Sequence, residues 1–129
     1  MSIKPNDIII KERIFSTSQP DFEELAIQIF HFQYTNNPIY QQYCQALKTD
    51  VQKVTSLDKI PFLPIQFFKT KEIMTGTFQP AVIFESSGTT GSMNSKHFVK
   101  DANIYEESFF KAFKIFYGDA STLCVIGLL

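Results

Sequence analysis

The 129 residues contain no tryptophan, only two cysteines and no long uninterrupted apolar run. Each scarcity excludes something. Cys44 and Cys124 lie far apart and show neither CxxC nor His/Cys metal spacing, so they form no disulfide framework and no zinc site; two reduced thiols are expected. Ile8 to Ile10 is too short for the apolar core of a signal peptide, and Lys11, Glu12 and Arg13 follow it at once. No apolar stretch approaches the ~20 residues that a membrane helix needs. Neither sign of charge dominates: 12 Lys and Arg stand against 13 Asp and Glu, for a net charge of −1. A chain so balanced has no basic field for nucleic acid and no basic block for an anionic membrane surface. The expectation is a cytoplasmic protein with no nucleic-acid partner and no membrane span.

What is abundant is the phenylalanine ring. Fourteen Phe and five Tyr among 44% apolar residues predict a core built of bulky rings in one domain. After a polar lead, Ile8, Ile9, Ile10, Ile14 and Phe15 fit two turns of helix or an extended arm equally well. Ser16 to Pro20 then offers a helix start, with Asp21, Glu23 and Glu24 in the first turn. Phe22, Leu25, Ala26, Ile29 and Phe30 fall at helical spacing. Asn36-Asn37-Pro38 ends that helix, because the residue before proline is pushed out of the α region. A second helix carries Ile39, Tyr40, Tyr43, Cys44 and Leu47 on one face. Residues 48–60 read as polar, with a short helical turn near Ser56.

Pro61 to Phe68 holds two prolines and dense apolar side chains, which predict a buried crossing segment or a short helix begun at Pro64. Thr75-Gly76-Thr77 turns the chain. Ala81 to Phe84 and His97 to Val99 read as short strands. Asp101 can cap a helix whose apolar face is Tyr105, Phe109, Ala112, Phe113 and Phe116, and Gly118 can stop it. Leu123 to Ile126 reads as a last strand. The apolar ending at Gly127-Leu128-Leu129 suggests a cut through a larger fold. The resulting expectation is an incomplete α/β fold, with an arm at 1–19, a helical hairpin at 20–48, and strand, loop, strand, long packing helix and strand over 81–129.

Between the first two strands runs Ser86-Ser87-Gly88-Thr89-Thr90-Gly91-Ser92-Met93-Asn94-Ser95-Lys96. Two glycines let the backbone approach an anion closely. Ser86, Ser87, Thr89 and Thr90 add hydroxyl donors, and Lys96 adds one compact positive charge. No acid lies within the segment. No Lys-Ser/Thr follows Gly91 directly, so this is not a Walker A loop, and the glycine spacing does not match GxGxxG. Ser, Thr, Gly and Asn are also ordinary turn residues, so a plain hairpin loop fits the composition too. Loops of this length in compact domains tilt towards function.

The run Ser86 to Gly91 followed by Lys96 resembles the phosphate loop of the adenylate-forming superfamily, in which a Pro-Lys pair usually follows Ser-Gly-Ser/Thr-Thr-Gly. Here the lysine sits two positions farther on and Ser95 stands for the proline. Those departures are most similar to the acyl-protein synthetases of the LuxE type. The similarity extends to Phe32-Gln33, Asn37-Pro38-Ile39-Tyr40, Ile60 to Ile65, Ser95-Lys96-His97 and the Tyr105 to Gly118 helix, about residues 15–129 in all. It implies the N-terminal portion of an adenylate-forming ligase domain that uses ATP and Mg2+. A carboxylic acid, fatty acid among the candidates, would become an acyl-adenylate and then pass to a thiol, with a reductase as a partner protein. The resemblance gives ATP phosphate contacts to Ser86, Ser87, Gly88, Thr89, Thr90, Gly91 and Lys96. No metal ligand and no catalytic residue is identifiable.

The adenine, ribose and acceptor-cysteine contacts of such enzymes come later in their chains, so this chain alone is expected to be inactive. Cys44 and Cys124 read as packing residues, His31 as a surface or boundary residue, and His97 as a candidate substrate contact beside the loop lysine. Glu85 precedes the loop with no role assigned, and Pro61 to Phe68 fits core packing or an acyl pocket. Two other readings remain: a coenzyme A ligase of the phenylacetate type, and a non-catalytic interaction module.

Overall fold

The computed structural model describes residues 12–16, 18–86 and 94–124. Among them the structure is mixed and rich in helix, with one two-stranded antiparallel sheet. A 3-10 turn at Gln19–Asp21 leads into α1 (Phe22–Asn36), whose first turn carries Glu23 and Glu24 where the positive end of the helix dipole favours them. Pro38 forces Asn37 into an extended conformation (φ −116°, ψ 103°), which ends α1 and starts α2 (Pro38–Ala46). The Asn37 side chain then caps α2 by accepting the Tyr40 N–H at 3.1 Å.

Asn37 is almost wholly buried, at 4% exposure. Its amide also donates to the Thr75 hydroxyl at 3.4 Å, and that hydroxyl donates to Gln33. The neighbouring Gly76 N–H reaches the Asn36 carbonyl at 2.7 Å. Gly76 holds φ at +80°, a region that side chains disfavour. The turn expected at residues 75–77 is therefore docked on the α1–α2 junction.

The core gathers Phe30, Tyr40, Cys44 and Val54, with Tyr34, Tyr43, Val51, Ile60 and Leu63 packed around them. Phe30 and Tyr40 meet edge to face, centroids 6.2 Å apart, and the Tyr40 hydroxyl donates to the Pro61 carbonyl at 2.8 Å. Val51, Val54 and Ile60 correct the reading of 48–60 as polar. Two 3-10 turns, Val51–Lys53 and Leu57–Lys59, present these side chains inward with neither helical nor strand periodicity. Cys44 is fully buried, as a packing residue should be, whereas Cys124 is exposed; both are free thiols.

Pro64 starts a turn whose carbonyl accepts the Phe67 N–H, leading into α3 (Phe67–Thr70). Phe62 and Ile65 are exposed here, so the segment is no buried crossing. Strands β1 (Val82–Glu85) and β2 (Lys96–Val99) follow, then α4 (Asn103–Tyr117). Asp101 Oδ1 accepts the Asn103 N–H at 3.0 Å at the start of α4, and Gly118 (φ +80°) closes it. The expected packing helix differs from expectation, because no residue of α4 is buried and Phe109 and Phe116 are largely exposed. The apolar stripe exists, yet among the described residues little covers it. Leu123 is extended but pairs with no strand among the described residues, and residues 125 and 126 of the expected last strand lie outside them.

Two predictions follow from the buried polar groups. Asn37→Ala removes a helix cap and orphans the Tyr40 N–H, so urea titration should show stability lowered by about 2 kcal/mol. Burial pushes both the Tyr40 phenol and the Cys44 thiol above their ordinary values. Groups that hold protons more tightly when folded stabilise the fold until their unfolded counterparts titrate, and that stability is lost as pH rises further. The urea midpoint should hold steady to about pH 8 and fall as the unfolded thiol and phenol titrate, at about 8.5 and 10. Tyr40→Phe should flatten the later part of that decline.

Candidate functional site

The β1–β2 hairpin carries the site. Val82, Ile83 and Phe84 suit a pleated, half-covered strand, and the register pairs Val82 with Val99, Ile83 with Phe98, Phe84 with His97 and Glu85 with Lys96. Beyond the last pair the Ser86 N–H donates to the Ser95 carbonyl at 3.1 Å. The Ser95 N–H returns to Ser86 Oγ at 3.0 Å. These two bonds close the neck of the loop, so one serine hydroxyl that the sequence offers to a ligand already serves the backbone.

Side chains alternate across a strand, so the hairpin has two chemically distinct faces. One presents Phe84 and His97. The His97 ring sits 6.4 Å from the Phe68 centroid and 6.1 Å from that of Tyr105, and Tyr105 packs on Phe84 at 4.9 Å. The other face presents Glu85 and Lys96, whose carboxylate and ammonium lie 3.5 Å apart with both side chains about half exposed. Beside them an open cleft of about 540 Å³ takes in Lys69 of α3 and Lys71 and Glu72 just after it, with Asn94 also in its lining. Three lysines against two carboxylates leave this cleft positive by one charge, suited to an anion.

Of the site residues expected from sequence, Ser86, Lys96 and His97 come together at one end of the hairpin. Ser87, Gly88, Thr89, Thr90 and Gly91 lie outside the described residues. His31 is exposed on α1 with its ring 5.0 Å from that of Phe30. Sequence reading left Glu85 without a role and passed over Lys69 and Lys71. The first was within reach: strand partners count outward from the two ends of a loop, which sets residue 85 opposite 96. The lysines of another element carried no such signal. Among the described residues no group of three or more His, Cys, Asp or Glu side chains could hold a metal ion. Among them also, no helix is long and apolar enough to cross a membrane.

A family model described as acyl-protein synthetase, LuxE, matches residues 2–104. That span takes in α1, α2, α3 and the segments of both strands, and ends at the start of α4. No curated protein and no solved structure matches the chain.

A half-exposed ion pair contributes at most about 1 kcal/mol, so Glu85→Gln should leave the melting temperature nearly unchanged. The same substitution frees Lys96, and pyrophosphate affinity, read by NMR titration, should rise roughly twofold to fivefold.

Proposed function

The chain belongs to the LuxE acyl-protein synthetase family, and from that premise we propose that it carries the phosphate-holding part of an ATP-dependent acyl-activating ligase. In this reading residues 1–129 are part of one acyl-adenylating domain. The observation that carries it is the hairpin neck. Ser86 and Ser95 bind each other across the loop ends, and Lys96 directly follows on the strand. A loop of glycines and hydroxyl residues thus stands on a hydrogen-bonded base with a cation beside it.

The chemistry asks for charge neutralisation. A carboxylate oxygen attacks the α-phosphorus of ATP, the bond to the β-phosphate oxygen breaks, and pyrophosphate leaves with an acyl-adenylate formed. Lys96, with loop amides and the hydroxyls of Ser87, Thr89 and Thr90, would hold the β- and γ-phosphates while negative charge builds on them. Mg2+ would share that load in the complete site. The acyl group would then move to a thiol and on to a reductase partner. Neither cysteine of this chain is assigned as the acceptor, and Cys44, fully buried, is closed to an acyl group.

One part of a site binds weakly. A few charge-assisted hydrogen bonds of roughly 1.5–3 kcal/mol each must offset an association cost of at least ~4 kcal/mol. The chain should therefore bind Mg-ATP with a dissociation constant of about a millimolar or weaker. The test is an NMR titration with Mg-ATP following the amides of residues 86–97. Saturable shifts centred there, lost in Lys96→Ala, are expected. Shifts that persist unchanged in that variant would sink the role of Lys96. No response in this chain or in the complete enzyme would leave a plain hairpin loop.

A further inference from the structure

Two lysines of the charged cleft have no part in the phosphate reading above. Lys69 lies in the last turn of α3, and Lys71 directly follows that helix in extended backbone at φ −133° and ψ 150°. Both line the cleft together with Lys96 and Asn94. We propose that Lys69 and Lys71 bind the pyrophosphate end of ATP, so that the leaving group is held between them and Lys96.

The inference rests on the phosphate reading above and adds a second set of phosphate-binding residues to it. Placement supports it first. Phe68 of α3 and His97 of β2 pack ring on ring, centroids 6.4 Å apart, and each has a lysine beside it in sequence, Lys69 and Lys96. One ring contact thus brings lysines of two elements to one cleft, and the Phe67 contact with Tyr43 fixes α3 on the helical core. Availability comes second. Lys96 pairs with Glu85 at 3.5 Å, whereas among the described residues Lys69 and Lys71 form no ion pair. The remaining acid of the cleft, Glu72, therefore stands against two uncommitted ammonium groups. Charge demand is the third support. A phosphate monoester carries about −1.5 to −2 charge, so the two phosphates of a pyrophosphate ask for more than Lys96 supplies. When the bond from the α-phosphorus breaks, its electron pair goes to the bridging oxygen of pyrophosphate. Two further lysines, each a compact charge with three donors on a flexible stem, meet that charge where it builds. The open mouth of the cleft suits a product that has to leave.

Lys69 and Lys71 are exposed, so changing them leaves the fold intact. The experiment titrates the 129-residue chain with pyrophosphate and, at equal concentrations, with AMP. NMR follows the amides of Lys69, Lys71, Asn94 and Lys96. Pyrophosphate should shift all four saturably, while AMP, which lacks the β- and γ-phosphates, should leave residues 69 and 71 unmoved. Lys69→Gln combined with Lys71→Gln should weaken pyrophosphate binding roughly tenfold, from twofold to fivefold for each lysine lost. Lys69→Arg combined with Lys71→Arg keeps both charges and should restore most of it. Lys53→Gln combined with Lys59→Gln removes the same charge outside the cleft and should leave affinity nearly unchanged. Absence of pyrophosphate shifts at residues 69 and 71 would overturn the proposal. So would undiminished binding in the double glutamine variant of the cleft, equal weakening in the control pair, or an AMP response as strong as that of pyrophosphate. Lys96→Ala in the same titration keeps the two readings apart. Binding lost there but intact without Lys69 and Lys71 counts against this proposal alone, and the reverse counts against the role of Lys96.

Discussion

Much of this fold hangs on one buried side-chain amide. Proline at 38 forces Asn37 out of the helical region, which leaves a polar gap between α1 and α2 that water does not reach. Asparagine fills it with an acceptor for the Tyr40 N–H and a donor for Thr75. An apolar residue of the same size would leave both partners unsatisfied, and a buried unpaired polar group costs about 1–3 kcal/mol. Through Thr75 and Gly76 the same junction fixes where the chain sets out towards β1. The hairpin that carries the site therefore starts from a point anchored on the helices.

A second tie runs through two successive phenylalanines. Neighbouring residues in a helix point about 100° apart, so Phe67 and Phe68 face different parts of the molecule. Phe67 meets Tyr43 of α2, centroids 5.5 Å apart and rings at 69°, while Phe68 meets His97 of β2. A four-residue helix has no stability of its own, because nucleation is unfavourable and few hydrogen bonds follow. These ring contacts hold it, and in turn it relays the helical core to the imidazole. A two-stranded hairpin is also marginal in isolation, so His97 keeps its direction only while Phe68 and Tyr105 flank it.

What could be read from the sequence follows from how local each cause is. The two helices, the break at Asn37-Pro38, the turn at Thr75-Gly76 and the two short strands are set by proline, capping groups and nearby apolar spacing, and all are legible. Val51, Val54 and Ile60 were not, because 3-10 turns bring them inward without a period that a window of sequence reveals. The apolar stripe of α4 was legible, but a stripe says which face avoids water and not whether anything covers it. Phe109 and Phe116 show the difference. At the site, the polar loop and Lys96 could be picked out locally, whereas Lys69 and Lys71 approach from another element. Such proximity is a property of the fold and leaves no mark on local pattern.

The alternation of a strand gives the hairpin its functional logic. Lys96 and His97 are consecutive, with α-carbons about 3.8 Å apart, yet they belong to opposite faces. Around Lys96 gather charges: Glu85, Lys69 and Lys71. Around His97 gather rings: Phe68, Phe84 and Tyr105. A charged environment and an apolar one cannot occupy the same space without the second weakening the first by desolvation. Two faces of one strand separate the charges from the rings by the thickness of a backbone, and the hydrogen bonds between Ser86 and Ser95 close the end that both faces share.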